Sequence, residues 1–340
     1  MVDKEIRLPI SNDPFGIFNI ELTNRCPMSC VMCPRTNNMT REQGDMNFDL
    51  FKRIINELVN ENKDYINHQP VWLHHFGESL LHREFDTFIR YAVQKEIVTC
   101  LSVNPLMLTE PVSRALLESK PDILYISLDG HDNESFEKIR GVKKAYQRSL
   151  DNLNGFLRLK QELQSNCRTV LSMIDFGLNR ESIDQTRSYW ESQPGVDEFL
   201  MKSFSTWDGS AGDINQLEDK SKEGSATRSN WVECNFPWER MTILWDGEVV
   251  PCCNDYNELP RRKRTGYPEK RGNAPRGGVL NPMLRNKKLS LGNVNDRSLS
   301  EIWNGPQMKQ LREEFINNHV VNPLCCHCEK LRLPRDQWDW

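Results

Sequence analysis

The sequence predicts an α/β fold built on a parallel sheet, followed by a smaller cysteine-rich unit. Three observations carry that prediction. Six short apolar runs alternate with segments of helical period, the pattern of repeated βα units. A polar stretch rich in Gly, Ser, Asp and Lys, 205–230, interrupts the rhythm. Beyond it come a hairpin, a capped helix and spaced cysteines rather than further βα units.

In chain order, strands are expected near 17–22, 71–75, 98–103, 123–128, 169–173 and 198–202. Between the first two, Phe51, Ile54, Ile55, Leu58 and Val59 share one face of a helix. Thr109 before Glu110 and Pro111 reads as an N-cap with proline inside the first turn. After the polar stretch, 241–245 and 248–252 form a hairpin whose Asp246-Gly247 predicts a type I′ turn. Ser298 and Glu301 make a capping-box pattern opening a helix with Ile302, Met308, Leu311 and Phe315 on its apolar side.

At 340 residues the chain has room for one large domain and a smaller one. Its 44 basic and 48 acidic residues leave a net charge of -4, which gives no global reason to expect nucleic acid or a membrane surface as partner. The first residues hold no signal-like apolar stretch, and no run of about 18 apolar residues occurs. Eleven cysteines without a secretory signal are expected to ligate metal in a reducing cytoplasm rather than to form disulfides.

Cys26, Cys30 and Cys33, in CPMSCVMCPR, are spaced CxxxCxxC just after the first strand. A cubane [4Fe-4S] cluster held by three thiolates keeps one iron with open positions, and an open position marks a reactive site. Zinc is the competing metal, but it takes four protein ligands when structural, and the nearest histidine is His68. A metal-free set of core cysteines is the remaining alternative.

The chain resembles the radical S-adenosylmethionine (SAM) superfamily at CPMSCVMCPR, at Gly77 and Glu78 in WLHHFGESLL, and at YISLDG followed by Lys138-Ile139-Arg140-Gly141. The resemblance implies a partial (β/α)6 TIM-type barrel over 16–205, after an N-terminal segment 1–15. It further implies that SAM chelates the open iron and is split to methionine and a 5′-deoxyadenosyl radical. Gly77 and Glu78 would hold the methionyl amino group, and Ser127, Asp129 and Arg140 would lie near the ribose and carboxylate. Two positions depart from the pattern. Met32 stands where an aromatic residue is frequent and still offers a soft apolar cover, and the usual GGEP reads Phe76-Gly77-Glu78-Ser79.

Cys234, Cys252, Cys325 and Cys328 give four further thiolates, enough to ligate a second cluster completely or a zinc ion. The segments CNFPW, WDGEVVPCCND, LGNV, SLSEIWN and NPLCCHC resemble the SPASM/Twitch domain, a small α+β iron-sulfur unit expected over 234–340 after a linker 206–233. Four ligand candidates imply the Twitch form with one auxiliary [4Fe-4S] cluster. The spacing is similar to that of radical SAM dehydrogenases of aminocyclitol biosynthesis.

Cys253 and Cys326 adjoin these ligands. Both are read as buried thiols or substitute ligands, or, for Cys253, as a hydrogen-atom donor of the kind radical epimerases use. Cys100 and Cys167 belong to the core. His74 and His75 point to opposite faces of a strand, one toward the barrel interior. The segment 258–290 carries ten Lys or Arg against two Glu, with interspersed Pro and Gly, and is read as a solvated basic loop or as a lid for phosphate, carboxylate or an acidic electron donor.

The expected activity is hydrogen-atom abstraction from a small hydroxylated substrate of sugar, aminocyclitol or nucleoside type, ending in dehydrogenation or epimerisation. Flavodoxin or ferredoxin is the expected electron donor. Few residues precede the first strand, which disfavours a peptide-recognition domain. Radical modification of a ribosomally made peptide is the second reading, and a non-catalytic zinc-stabilised binding module the third.

Overall fold

A computed structural model describes residues 14–37, 39–175, 180–203, 234–255, 289–326 and 328. The linker 206–233, the N-terminal thirteen residues, nearly all of the basic segment and the chain beyond 328 lie outside the described residues.

Six strands, β1 (Gly16–Ile20), β2 (Val71–Trp72), β3 (Thr99–Val103), β4 (Ile123–Ser127), β5 (Arg168–Asp175) and β6 (Glu198–Ser203), pair in sequence order and in parallel. Each is followed by helix before the next strand, as parallel pairing requires. The helix Phe48–Glu61 shows why. Leu50, Phe51, Ile54, Ile55 and Leu58 are buried on one face, each contributing about 1.5–3 kcal/mol, and the Asn47 side chain caps its start by accepting from the Asp49 N–H. Leu101, Leu124, Ile126 and Leu171 join the same continuous core from the strands.

Sheet β1–β6 does not close on itself among the described residues. β1 instead accepts β7 (Arg240–Ile243) as a parallel neighbour, and β7 continues antiparallel into β8 (Glu248–Val250) and β9 (Gly292–Asn293). The C-terminal hairpin therefore extends the barrel sheet rather than forming a sheet of its own.

Three local expectations need correction. The second strand pairs over two residues only, not over 71–75. Beyond Leu73 the ladder is taken over by side chains: Ser102 N–H donates to His74 Nδ1 (3.2 Å), and Asn19 Nδ2 donates to the His74 carbonyl (2.8 Å). The hairpin turn is not type I′, which needs φ > 0 at both central residues. Only Gly247 is left-handed (φ 86°), and its N–H donates to the Leu244 carbonyl, giving a three-residue loop with glycine at the bulge. The single C-terminal helix is two, Leu299–Trp303 and Pro306–Ile316. Gly305 is extended and Pro306 restarts the chain as a first-turn proline, while the Ser298–Glu301 capping box forms as expected. Thr109 sits at the N-cap of Glu110–Glu118 but its side chain makes no capping bond. No described helix is long and apolar enough to cross a membrane.

Candidate active site

Cys26, Cys30 and Cys33 lie in the loop after β1, at the carboxyl end of the sheet, where barrel enzymes gather their functional groups. The loop is tied down by backbone bonds. Ser29 and Val31 N–H donate to the carbonyls of Arg140 (3.2 Å) and Ile139 (3.0 Å), at the end of the helix Asn133–Arg140. Gly141, left-handed at φ 69°, ends that helix against the loop, and a Cβ there would meet the Ser29 carbonyl at 2.4 Å. Met32 is buried in the same continuous core as Met28.

Gly77 and Glu78 run beside the segment leading into the cysteines. Glu78 N–H donates to the Arg25 carbonyl (2.8 Å), and a Cβ at position 77 would lie 2.0 Å from the Thr23 carbonyl oxygen. Only glycine permits that approach. The Glu78 carboxylate accepts from Asn104 N–H (2.8 Å) and Leu80 N–H (3.2 Å), capping the short turn Ser79–Leu81 that stands where the family sequence has proline. Burial pushes Glu78 up to about 7. A cationic group beside it would reverse that cost, which fits an ammonium at this position.

Arg140 is buried and divided among three neighbours. It ion-pairs with Asp129 (2.7 Å), donates to the Ser127 carbonyl (2.8 Å), and directs Nη1 at Cys30 Sγ (3.6 Å). Burial favours its neutral form, but the Asp129 carboxylate together with Cys30 and Cys26 raises it and keeps the guanidinium charged. Asp129 also accepts from Ile174 N–H (2.8 Å), so this pair holds the ends of β4 and β5 together beneath the thiols. Ser127 Oγ lies between Ser102 (3.5 Å) and Ser172 (3.4 Å) across three strands.

The second thiol group comes from three segments. Cys234 precedes the helix Phe236–Glu239, Cys252 follows β8, and Cys325 and Cys328 lie at the end of the described chain. Burial and then Cys252 and Cys328 push the Cys234 thiol up to about 12. Cys325 is raised by burial and by Cys252, Cys234 and Cys328 together. At the N-terminal set, burial and Glu78 push Cys26 up to about 12, and burial and Cys30 push Cys33 up to about 11. Thiols so crowded and buried resist ionising until a cation is shared among them, which is the donor chemistry an iron-sulfur cluster meets. Among the described residues no three His, Cys, Asp or Glu side chains converge on a point suited to a single metal ion.

Cys253 is buried with Phe18 and Phe236, against Trp72, Cys234 and Cys252. Its neighbour Asn254 donates from the backbone to Cys252 Sγ (3.2 Å) and from its side chain toward Cys328 Sγ (3.9 Å). Cys100 and Cys167 are core residues. The Cys326 side chain and the basic segment through 288 lie outside the described residues.

One buried network escaped the sequence. Arg41 grips Glu21 through two bonds (2.7 and 2.6 Å), His75 Nδ1 lies 3.3 Å from the same carboxylate, and His75 Nε2 meets the Cys253 carbonyl at 2.7 Å. Trp245 N–H also points at Glu21 (3.3 Å). Burial opposes the Glu21 charge, yet Arg41 holds its carboxyl far below the usual range. The available signal was a charged residue set inside the apolar run 17–22. His74 is the inward-facing histidine, pulled down to about 3 by burial and then by His75 and Lys202.

A cavity of about 610 Å³ lies apart from these groups, lined in part by Glu248, Asn293, Asp296 and Arg297.

Comparison with known proteins places these features in a family. Residues 20–189 match the Radical SAM superfamily and residues 234–329 match SPASM, an iron-sulfur cluster-binding domain. The chain is 22% identical over 330 residues to the tungsten-containing aldehyde ferredoxin oxidoreductase cofactor-modifying protein of Pyrococcus furiosus, covering 91% of this chain and 86% of that one. It is 18% identical over 332 residues to the S-adenosyl-L-methionine-dependent 2-deoxy-scyllo-inosamine dehydrogenase of Niallia circulans, covering 96% and 98%. Among solved structures, BtrN in complex with AdoMet and 2-DOIA superposes with TM-score 0.56 at 16% identity over 96% of this chain and 98% of that one. Streptococcus suis SuiB bound to precursor peptide SuiA gives 0.57 at 15%, over 95% and 71%. The chain belongs to the radical SAM superfamily, whose barrel binds a [4Fe-4S] cluster and SAM, and it carries a C-terminal SPASM domain that binds auxiliary iron-sulfur.

Proposed function

We propose that this radical SAM enzyme takes a hydrogen atom from a carbon of a small hydroxylated molecule and completes either a dehydrogenation or an epimerisation. The observation that carries the reading is the shared cluster in which Cys234, Cys252 and Cys253 meet Phe18 of β1 and Trp72 of β2, so that the auxiliary thiols face the barrel interior.

Cys26, Cys30 and Cys33 would hold the N-terminal cluster, and Cys234, Cys252, Cys325 and Cys328 one auxiliary cluster. When bound, the first cluster with SAM supplies a 5′-deoxyadenosyl radical and the second supplies a one-electron acceptor. Glu78 holds the methionyl ammonium, with Gly77 allowing the close backbone approach. Arg140 and Asp129 fix the loop carrying Cys30, with Ser127 beside them. A substrate radical beside a hydroxyl loses one electron and one proton to become a ketone. Alternatively, Cys253 Sγ–H returns a hydrogen atom from the other face, after which one electron and one proton restore the thiol. Reduction of the enzyme falls to a flavodoxin or ferredoxin type donor.

The test is anaerobic reconstitution followed by incubation with SAM, a strong reductant and candidate polyols. Formation of 5′-deoxyadenosine with a product lighter by two hydrogens supports dehydrogenation, and an unchanged mass with inverted configuration supports epimerisation. Cys253→Ala separates them further, since an epimerase loses turnover while 5′-deoxyadenosine still forms. Intact SAM in a fully reconstituted enzyme would sink the proposal.

A further inference from the structure

The buried network around Glu21 reaches the auxiliary thiols through one peptide group. The His75 side chain is only 3% exposed, and its Nε2–H donates to the Cys253 carbonyl (2.7 Å), since a carbonyl oxygen can only accept. Nδ1, on the other side of the ring, faces the Glu21 carboxylate at 3.3 Å, and Arg41 clamps that carboxylate through two bonds (2.7 and 2.6 Å). The imidazole is thus held in one orientation by groups of the barrel, Glu21 standing shortly before Cys26 and His75 shortly before Gly77. The peptide that His75 grips is trans, so its N–H, carried by Asn254, points away from the carbonyl. That N–H donates to Cys252 Sγ (3.2 Å). The Asn254 side-chain amide is directed at Cys328 Sγ (3.9 Å), and the Asp255 N–H closes the turn on the Cys252 carbonyl (3.3 Å). The Asp255 carboxylate, within electrostatic reach of both Arg41 and Cys252, accepts from the Leu289 N–H (3.2 Å) and is anchored independently of His75.

Resting on the assignment of Cys252 to the auxiliary cluster made above, we propose that His75 is a positioning residue that tunes that cluster's reduction potential through the Cys253–Asn254 peptide. Its bond to the carbonyl fixes the plane of the peptide and polarises it, which aims and strengthens the N–H at the opposite edge. A reduced cluster carries one more negative charge, spread over its sulfurs, so an N–H donated to a ligating sulfur favours the reduced form and raises the potential. A higher potential makes the cluster a better acceptor for the electron that a substrate radical gives up. Glu21 and Arg41 act one step further back, by holding the ring. The barrel wall beside the N-terminal cysteines thereby sets the redox poise of the C-terminal domain.

The experiment uses the anaerobically reconstituted full chain and follows both clusters by redox titration with electron paramagnetic resonance, in the parent and in His75→Phe, His75→Asn and His75→Gln. Phenylalanine keeps a ring without a donor. Asparagine places its amide where Nδ1 stood and stops short of Cys253, whereas glutamine reaches the position of Nε2. The Phe and Asn variants are expected to favour the oxidised auxiliary cluster about tenfold more than the parent does, a fall of about 59 mV for one electron. The N-terminal cluster should be unmoved and iron retained at about eight atoms per chain. His75→Gln is expected to bring the auxiliary potential back to within about twofold of the parent in the reduction equilibrium. A histidine with a merely structural role would lower the thermal midpoint in all three variants without separating Gln from Asn. The inference is overturned by an auxiliary equilibrium within about twofold of the parent in the Phe and Asn variants, or by equal shifts at the two clusters. Loss of auxiliary iron from all three variants would overturn it as well, because His75 would then be needed to build the site. The expected shift in an enzyme that converts none of the candidate polyols would instead defeat the function proposed above and leave this inference standing.

Discussion

The two cysteine sites are built in opposite ways. The N-terminal set is local: three thiols within eight residues of one loop, positioned by backbone bonds to a single helix end, with the Arg140 guanidinium and the buried Glu78 carboxylate beside them. The C-terminal set is assembled: four thiols from segments reaching from Cys234 to Cys328, with the Asn254 backbone and amide directed at Cys252 and Cys328 and the rings of Phe18 and Phe236 packed beside Cys234 and Cys252. A site that supplies charges in addition to thiols is prepared for a polar ligand. A set whose fourth member is a further thiol suits a metal cluster alone. The difference teaches that ligand count and neighbouring charge, more than cysteine content, separate a reactive cluster site from an accessory one.

The largest expected effect breaks the comparison directly. Cys30→Ala should abolish 5′-deoxyadenosine formation and lower iron from about eight to about four atoms per chain, whereas Cys234→Ala should cost similar iron yet leave SAM cleavage in the absence of substrate. If both variants lose cleavage equally, the sites are not functionally distinct. Next comes Glu21→Gln, which strands buried Arg41 and His75 between the two sites. It should cost about 3–5 kcal/mol, read as a lowered denaturation midpoint, with a loss below about 1 kcal/mol counting against a structural bridge.

Gly77→Ala sharpens the N-terminal side. The new methyl would press on the Thr23 carbonyl 2.0 Å away, so stability should fall by about 1–3 kcal/mol and the SAM dissociation constant should rise, with auxiliary iron retained. The effect smallest at neutral pH, and visible only in acid, belongs to His74, whose ordinary value of 6.5 is lowered to about 3. Below pH 6.5 the unfolded chain takes up a proton that the folded chain refuses until pH 3, so stability is present above 6.5 and is lost as pH falls toward 3. His74→Gln should flatten that acid limb by up to about 1.4 kcal/mol per pH unit, measured by denaturant titration between pH 6.5 and 4. An unchanged slope would show that His74 is already charged in the folded chain.

Much of this was legible because it is local. Periodicity found all six parallel strands and the buried face of the helix Phe48–Glu61, and CxxxCxxC placed the first thiols after β1. What escaped depends on partners distant in sequence. Strand β2 is cut short by the His74 side chain, which no propensity encodes, and the Asp246-Gly247 pair signals a turn without telling a two-residue loop from a three-residue one. The pairing of Arg41, Glu21 and His75 spans three loops, and only the misplaced charge of Glu21 hinted at it. Nor does any pattern within 240–243 reveal that this strand chooses β1 as its neighbour.

That choice of neighbour has a consequence for biosynthesis. While the chain is emerging, the outer rim of β1 stays bare until more than two hundred further residues have been made, and a bare rim invites pairing with other nascent chains. A fragment ending before residue 234 would keep that rim permanently open and is expected to aggregate, so the cysteine-rich unit serves as a cover for the first strand as well as a seat for metal.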